Sequence, residues 1–178
     1  MDYSEIIDFH GHSCPGLAIG YRMSLAAMQV LGVSRSGDEE LVAVVENDAC
    51  GVDALQCVTG CTFGKGNLQF RDFGKNVYTL FSRKSNKGVR VVFHGSGLPV
   101  GLREDKPAFI IFLQNCPDES IISITATDEK PPTPARIRNS VHCQICNEFV
   151  MDTRLRDSGE KVVCIPCAEQ HVYPRTEF

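Results

Sequence analysis

The sequence predicts an α+β core, in which an antiparallel or mixed sheet packs against helices, followed by a small zinc finger. Two observations predict this class. Up to residue 127, apolar segments of helical length alternate with short runs rich in β-branched residues. Beyond a proline-rich segment, two Cys-x-x-Cys pairs then follow. We therefore predict a core domain at 1–127, a linker at 128–140 and a four-cysteine zinc-finger domain at 141–178.

Composition narrows the classes of protein to consider. The 178 residues are 43% apolar and suit one domain of ordinary size with an appendage. Nine cysteines and an acidic start, without a basic and apolar leader, predict reduced thiols in the cytoplasm. No apolar run reaches membrane-spanning length. The net charge of −4 argues against nucleic acid as a partner.

The first elements are two helices and a strand. The sequence of residues 3–9 predicts a short amphipathic helix. A longer helix is predicted at 15–31, with Cys14 as its cap, Pro15 as its first residue and Gly32 as its end. Because this helix is apolar almost all round, we expect it to be buried centrally or in a homodimer. Residues 41–46 predict a buried strand.

The second half of the core is predicted to be mainly strands. Asp48 is a candidate N-cap for a helix at 51–61. Strands are predicted at 77–83 and 89–94, joined as a hairpin, and at 120–126. A short helix is predicted at 107–116. This order of elements predicts helices segregated from the sheet rather than alternating with it.

A cluster of His10, His12 and Cys14 precedes the long helix. A thiol at a helix N-terminus faces free amides and the positive end of the helix dipole, which favour the thiolate. A thiolate attacks electrophiles or binds a soft metal, and the histidines would add ligands or bases. The other interpretation is a buried structural cysteine with two capping histidines.

A second cluster follows on the helix predicted at 51–61. Asp53, Cys57 and Cys61 would lie one turn apart on one face, with Cys50 one turn earlier. A purely structural stripe remains an alternative, because cysteine is also a small core residue. We expect Cys14 to meet the Cys57 and Cys61 face.

Two chemistries are open for that core site. The site would bind zinc or iron with a vacant position, or Cys14 would act as a free nucleophile. The loop at 62–67 fails the phosphate-loop pattern but leaves Lys65 as an anion contact, and Asp48 or Asp53 could move a proton. The candidate catalytic residues are Cys14, His10, His12 and Lys65, and the candidate core ligands are His10, His12, Cys14, Cys57 and Cys61.

The two Cys-x-x-Cys pairs are the most specific signal in the chain. Seventeen residues separate the pairs, a spacing typical of a structural zinc site. A hairpin at 148–163 and a helix starting at Cys167 would resemble a treble clef. The predicted zinc ligands are Cys143, Cys146, Cys164 and Cys167.

Three motifs carry a resemblance to a known family. They are H-G-H-x-C-P-G-L-A-x-G-x-R, V-E-N-D-x-C-G-V-D-A-x-Q and T-G-C-T-x-G-K-G-N-L, within residues 3 to 126. Together they resemble the formylmethanofuran dehydrogenase E-subunit family, some members of which carry an accessory zinc finger. The resemblance implies a dimerising α+β core, metal-associated Cys and His residues, and a link to molybdenum or tungsten enzymes of one-carbon metabolism.

Two functions of different class follow. The first is a metal-binding accessory or catalytic component of one-carbon redox metabolism of the methanogenesis type. It would act as a homodimer or with a molybdenum or tungsten enzyme, on a small anionic one-carbon carrier. The second is a regulatory or interaction module whose finger binds a protein or nucleic acid. The sequence leaves open whether the chain is an enzyme, such as one component of an oxidoreductase.

Overall fold

The structure is a computed structural model and describes residues 2–169. The chain forms two compact units, 1–135 and 136–178, so the division falls inside the predicted linker. No helix in the described range is long and apolar enough to cross a membrane.

Within residues 2–135, the first unit contains four helices and five strands, with boundaries close to those predicted. The helices are α1 (Tyr3–His10), α2 (Pro15–Leu31), α3 (Gly51–Thr59) and α4 (Lys106–Asn115), and the strands are β1 (Leu41–Val45), β2 (Leu68–Phe70), β3 (Val77–Ser82), β4 (Lys87–Phe93) and β5 (Ile122–Thr127). Short 3-10 helices lie at Leu102–Glu104 and Asp118–Ser120.

Local chemistry explains the two N-terminal helices. The Asp2 side chain accepts from the Glu5 amide, and Glu5 accepts from the Asp2 amide, which together form a capping box for α1. In α2, the Cys14 sulfur accepts from the Leu17 amide and Pro15 occupies the first turn. The helix ends at Gly32, which has a φ of 63° that glycine adopts without strain. The predicted bounds of α2 are therefore confirmed.

The sheet is mixed, in the order β2-β1-β3-β4-β5. All neighbours are antiparallel except β1 and β2, which pair in parallel from Ala43 opposite Leu68 to Val45 opposite Phe70. The sequence did not reveal β2, because three residues are too few to show a period. The α+β class with a mixed sheet is confirmed.

The core lies between the sheet and α2. Helix α2 packs against α3, α4, β3 and β4, and its buried residues include Leu17 and Met23. Its nearly continuous apolar surface is therefore largely covered within one chain.

In its described part, residues 136–169, the second unit is built from two hairpins and a short helix. The strands are β6 (Ser140–His142), β7 (Phe149–Met151), β8 (Leu155–Ser158) and β9 (Lys161–Cys164), and α5 spans Ile165–Ala168, with a 3-10 helix at Asp152–Arg154. Strand β6 pairs with β7 and β8 with β9. The helix begins two residues before the predicted start at Cys167, and the end of that prediction, at His171, lies outside the described residues.

Candidate metal centres

Four thiols come together in the second unit, as the spacing predicts. Sulfur atoms of Cys143, Cys146, Cys164 and Cys167 all lie within 4.8 Å of one another. The first pair lies in the turn between β6 and β7, where Asn147 adopts a φ of 67° and donates its amide to the Cys143 carbonyl. The second pair lies at the start of α5. Tetrahedral zinc accepts four such thiolates, so the residues present fit a structural zinc ion.

The environment favours ionisation of one of these thiols, Cys143, but not of Cys146 or Cys167. Burial raises the pKa of Cys143, but amides of Cys164, Cys146 and Ile145 donate to its sulfur and lower the pKa overall to about 6. Burial and the neighbouring thiols raise the pKa of Cys167 to about 12. Four thiolates so close repel one another, and a divalent cation removes that repulsion.

A second group lies in the first unit and joins residues far apart in the sequence. A ring nitrogen of His10 and the sulfur atoms of Cys14 and Cys50 lie within 4.8 Å of one another. His10 is the last residue of α1, while Cys14 and Cys50 immediately precede α2 and α3. The N-terminal ends of two helices therefore meet at the two thiols.

A close contact between backbones holds these helices together. A Cβ atom on Gly20 of α2 would lie 2.2 Å from the carbonyl oxygen of Gly51 in α3. A Cβ on Gly16 would lie 3.4 Å from the Cβ of Cys50. Glycine at these positions lets α3 approach α2 closely enough to bring Cys50 beside Cys14.

The His10 ring is oriented by a carboxylate. Its Nδ1 lies 2.7 Å from Oδ2 of Asp53, and the histidine side chain is only 12% exposed. Its Nε2 is buried and has no hydrogen-bond partner among residues 2–169. A buried polar atom without a partner is costly, whereas a ligating histidine commonly uses its other nitrogen to contact a carboxylate.

The third member of this group is Cys50, whereas the sequence predicted Cys57 and Cys61. Helix α3 ends at Gly60, with a φ of 73°, so Cys61 leaves the helical stripe and is fully buried in the hydrophobic core. Burial raises the pKa of Cys61 to about 11. Cys57 packs with Ile6 and Leu17, and neither Cys57 nor Cys61 belongs to the three-ligand group among the described residues.

Cys50 takes their place because α3 begins at Gly51. Cys50, and not Asp48, is the N-cap, and its side chain makes no capping hydrogen bond. Burial and the nearby Cys14 raise the pKa of Cys50. The sequence contained a usable signal, because Cys14 and Cys50 each stand directly before a helix.

Two other candidates from the sequence are not part of this three-residue group. His12 stacks on His10, with ring centroids 4.6 Å apart, but it is exposed and outside the ligand group. The Lys65 ammonium lies 3.0 Å from the carbonyl oxygen of Asp38, at the amino end of β1. The predicted role of Lys65 in orienting an anion at the core site is therefore not supported.

A cavity of about 400 Å³ adjoins the core group at the carboxyl end of β1. Six of the twelve lining residues are aliphatic or aromatic, five are polar or charged, and one is a cysteine. It is lined by His10, Val45, Asn47, Asp48, Ala49, Cys50, Val52, Asp53, Gln56, Phe63, Leu68 and Phe70. A ligand in the cavity would therefore contact two of the three metal-ligand candidates.

Comparisons with known proteins agree with this division of the chain. Residues 136–173 match the prokaryotic dksA/traR C4-type zinc finger, which supports structural zinc at the four cysteines. A probable S-adenosyl-L-methionine-binding protein of Archaeoglobus fulgidus is 32% identical over 190 residues, covering 90% of this chain and 50% of the relative. The chain thus spans about half the length of that curated relative.

A solved structure and a family model cover the core. A protein from Syntrophus aciditrophicus, described as similar to FmdE of tungsten formylmethanofuran dehydrogenase, has a TM-score of 0.75 and 25% identity, covering 97% of this chain and 95% of its own. Residues 9–121 match the family described as FmdE, molybdenum formylmethanofuran dehydrogenase operon. The chain therefore belongs to the FmdE family and carries a C4-type zinc finger after its core.

Proposed function

We propose that the first unit binds a soft divalent metal through His10, Cys14 and Cys50, and that this centre is the working site of the chain. The observation that carries the proposal is the buried Nε2 of His10, which has no partner among residues 2–169 while Asp53 holds the opposite nitrogen. A metal at Nε2 would satisfy this atom and complete a carboxylate–histidine–metal arrangement.

The donor set favours zinc or ferrous iron. Two thiolates and one imidazole are soft or borderline ligands, and they leave a fourth position for water or substrate. Such an open position is typical of catalytic rather than structural zinc sites. The cavity lined by His10 and Cys50 provides room for a ligand at that position.

We further propose that the chain is an accessory or catalytic component of molybdenum or tungsten redox metabolism of one-carbon units. Membership of the FmdE family and the likeness to an FmdE-like protein named after a tungsten enzyme support this role. The partner would then be the molybdenum or tungsten enzyme itself. The name of the Archaeoglobus relative makes S-adenosyl-L-methionine a molecule to titrate into the metal-loaded chain.

Metal stoichiometry of the full chain tests the core centre. Anaerobically purified protein should hold two metal ions per chain, one in each unit. Cys50→Ser should reduce this to one, because it removes a ligand, whereas Cys61→Ala should leave two. Equal metal content in the wild type and the Cys50→Ser variant would contradict the proposal, since the finger alone would then account for the metal.

The homodimer remains a proposal, and its motivation is weaker than the sequence alone suggested. Much of the apolar surface of α2 is covered within the chain, but Leu25 and Val30 remain 40% and 58% exposed. These side chains would be buried in a dimer. Sedimentation equilibrium at micromolar concentration should give twice the chain mass, and a monomer would refute the dimer.

A further inference from the structure

We propose that the cavity beside the core centre binds a ligand that carries a positive charge next to a flat unsaturated ring, and that Asp48 selects for that charge. This inference deepens the proposed function and rests on it, because His10 and Cys50 form part of the cavity wall. The ligand class follows from the charge and shape of the remaining wall.

The ionisable groups of the wall favour a cation. Asp48 and Asp53 contribute two carboxylates, and no lysine or arginine lines the cavity in the described part of the chain. Asp53 is already bonded to His10. Asp48 is exposed and makes no hydrogen bond or ion pair to another residue in the 2–169 range, so its carboxylate is available to a ligand.

A bound metal does not reverse this preference. The two positive charges of a divalent ion would be offset by the thiolates of Cys14 and Cys50, and a ligating imidazole is neutral. The carboxylates of Asp48 and Asp53 would then keep the site negative.

The apolar part of the wall favours a flat ring. Phe63 and Phe70 are 75% and 45% exposed, although both line the cavity. Large exposed apolar side chains around a cavity are typical of a ligand-binding site. Their ring faces attract both unsaturated rings and cations, and a cavity of about 400 Å³ has the size of a small-molecule site.

Lys65, the anion contact that the sequence suggested, does not line this cavity. The Lys65 ammonium is occupied by backbone oxygens of Gly37 and Asp38 at the opposite end of β1. An anionic carrier at the cavity would therefore face carboxylates without a compensating lysine or arginine from its wall.

A pair of probes with opposite charge tests the inference on the metal-loaded full chain. Benzyltrimethylammonium and benzenesulfonate have similar rings, and neither is a strong ligand of a soft metal. Ligand-observed NMR titrations should give an affinity for the cation at least about fivefold higher than for the sulfonate. The ratio should decrease with added salt, because the charges are screened.

Three variants test whether the preference for the cationic probe comes from residues that line the cavity. Asp48→Asn should lower the cation-to-sulfonate ratio at least about threefold, and Phe63→Leu should weaken the binding of the cation, both with unchanged metal content. Asp38→Asn, an exposed carboxylate at the other end of β1, is the matched control and should leave the ratio unchanged.

The outcomes separate this inference from the metal proposal. Equal or preferential binding of the sulfonate, or a ratio insensitive to Asp48→Asn, would overturn the inference while metal analysis still supported the core centre. If Cys50→Ser retained all metal but the wild-type chain preferred the cation, the metal proposal would fail and the charge selection would stand.

Discussion

The two cysteine-containing sites of this chain are built in opposite ways. In the second unit, four thiols come from two short local pairs, and the small buried cluster consists of three of those cysteines with Val163. In the first unit, the ligand candidates come from the ends of three helices that a large hydrophobic core holds in place. We infer that metal organises the finger, whereas the fold organises the core site.

The largest expected effect comes from removing a finger ligand. Cys146→Ser should abolish zinc binding in the second unit and unfold it, because structural zinc supplies about 10–16 kcal/mol in such small units. Backbone NMR resonances of residues 136–169 should collapse to random-coil positions, while those of the first unit stay unchanged. A finger that remained folded without its zinc would contradict the inference that metal organises the second unit.

The next largest effect concerns the backbone contact that supports the core site. Gly20→Ala would ordinarily stabilise a helix, but here the added methyl group would lie 2.2 Å from the Gly51 oxygen. We expect it to lower the free energy of unfolding of the first unit by about 3 kcal/mol. Denaturant unfolding measures the change.

Gly37→Ala is the control for this substitution. A Cβ at Gly37 meets no atom within 4 Å, so its effect should stay within about 0.5 kcal/mol. Equal effects of the two substitutions would show that the contact between α2 and α3 does not support the site.

A moderate effect is expected from the carboxylate behind His10. Asp53→Asn should weaken core metal binding about 10- to 100-fold without unfolding the unit, because the histidine loses its orienting partner. Competition with a chromophoric chelator measures the affinity. Asp8→Asn, which changes an exposed carboxylate on α1, should have no such effect. An unchanged affinity in the Asp53 variant would show that this carboxylate does not support the metal.

The smallest effect is a dependence of stability on pH that involves neither metal site. Hydrogen bonds from Ser36 and from the Asp38 amide lower the pKa of Glu40 to about 2 from a usual value of 4.5. Its stabilising effect is therefore present above pH 4.5 and is lost as the pH falls towards 2. Urea unfolding of the wild type and Glu40→Gln should differ at pH 6 and converge near pH 2. A constant difference would contradict this assignment.

The sequence predicted the features that depend on a few residues adjacent in the chain, such as helix ends and paired cysteines. Pro15 and Gly32 mark the ends of α2, and the paired spacing identifies the four cysteines of the finger. Both the helix ends and the cysteine pairs are formed by residues close together in the chain, so a single sequence is enough to recognise them. The α+β class followed from the same local patterns.

The composition of the core site was predicted only in part. His10 and Cys14 were correctly placed together, but Cys61 was kept on the helical stripe although Gly60 ends α3. The proximity of Cys50 depends on the close approach of Gly20 to Gly51, which is a tertiary contact between residues thirty-one positions apart. No local pattern in the sequence reports such a contact.

The same Gly20–Gly51 contact affects how this protein can change over evolutionary time. The separation of Cys14 and Cys50 depends on the main-chain contact at Gly20 and Gly51 in addition to the packing of the hydrophobic core. Apolar residues elsewhere on α2 and α3 can then be exchanged for others of similar volume without altering the spacing of the two thiols. Such exchanges should therefore leave the proposed arrangement of His10, Cys14 and Cys50 in place as long as both glycines persist.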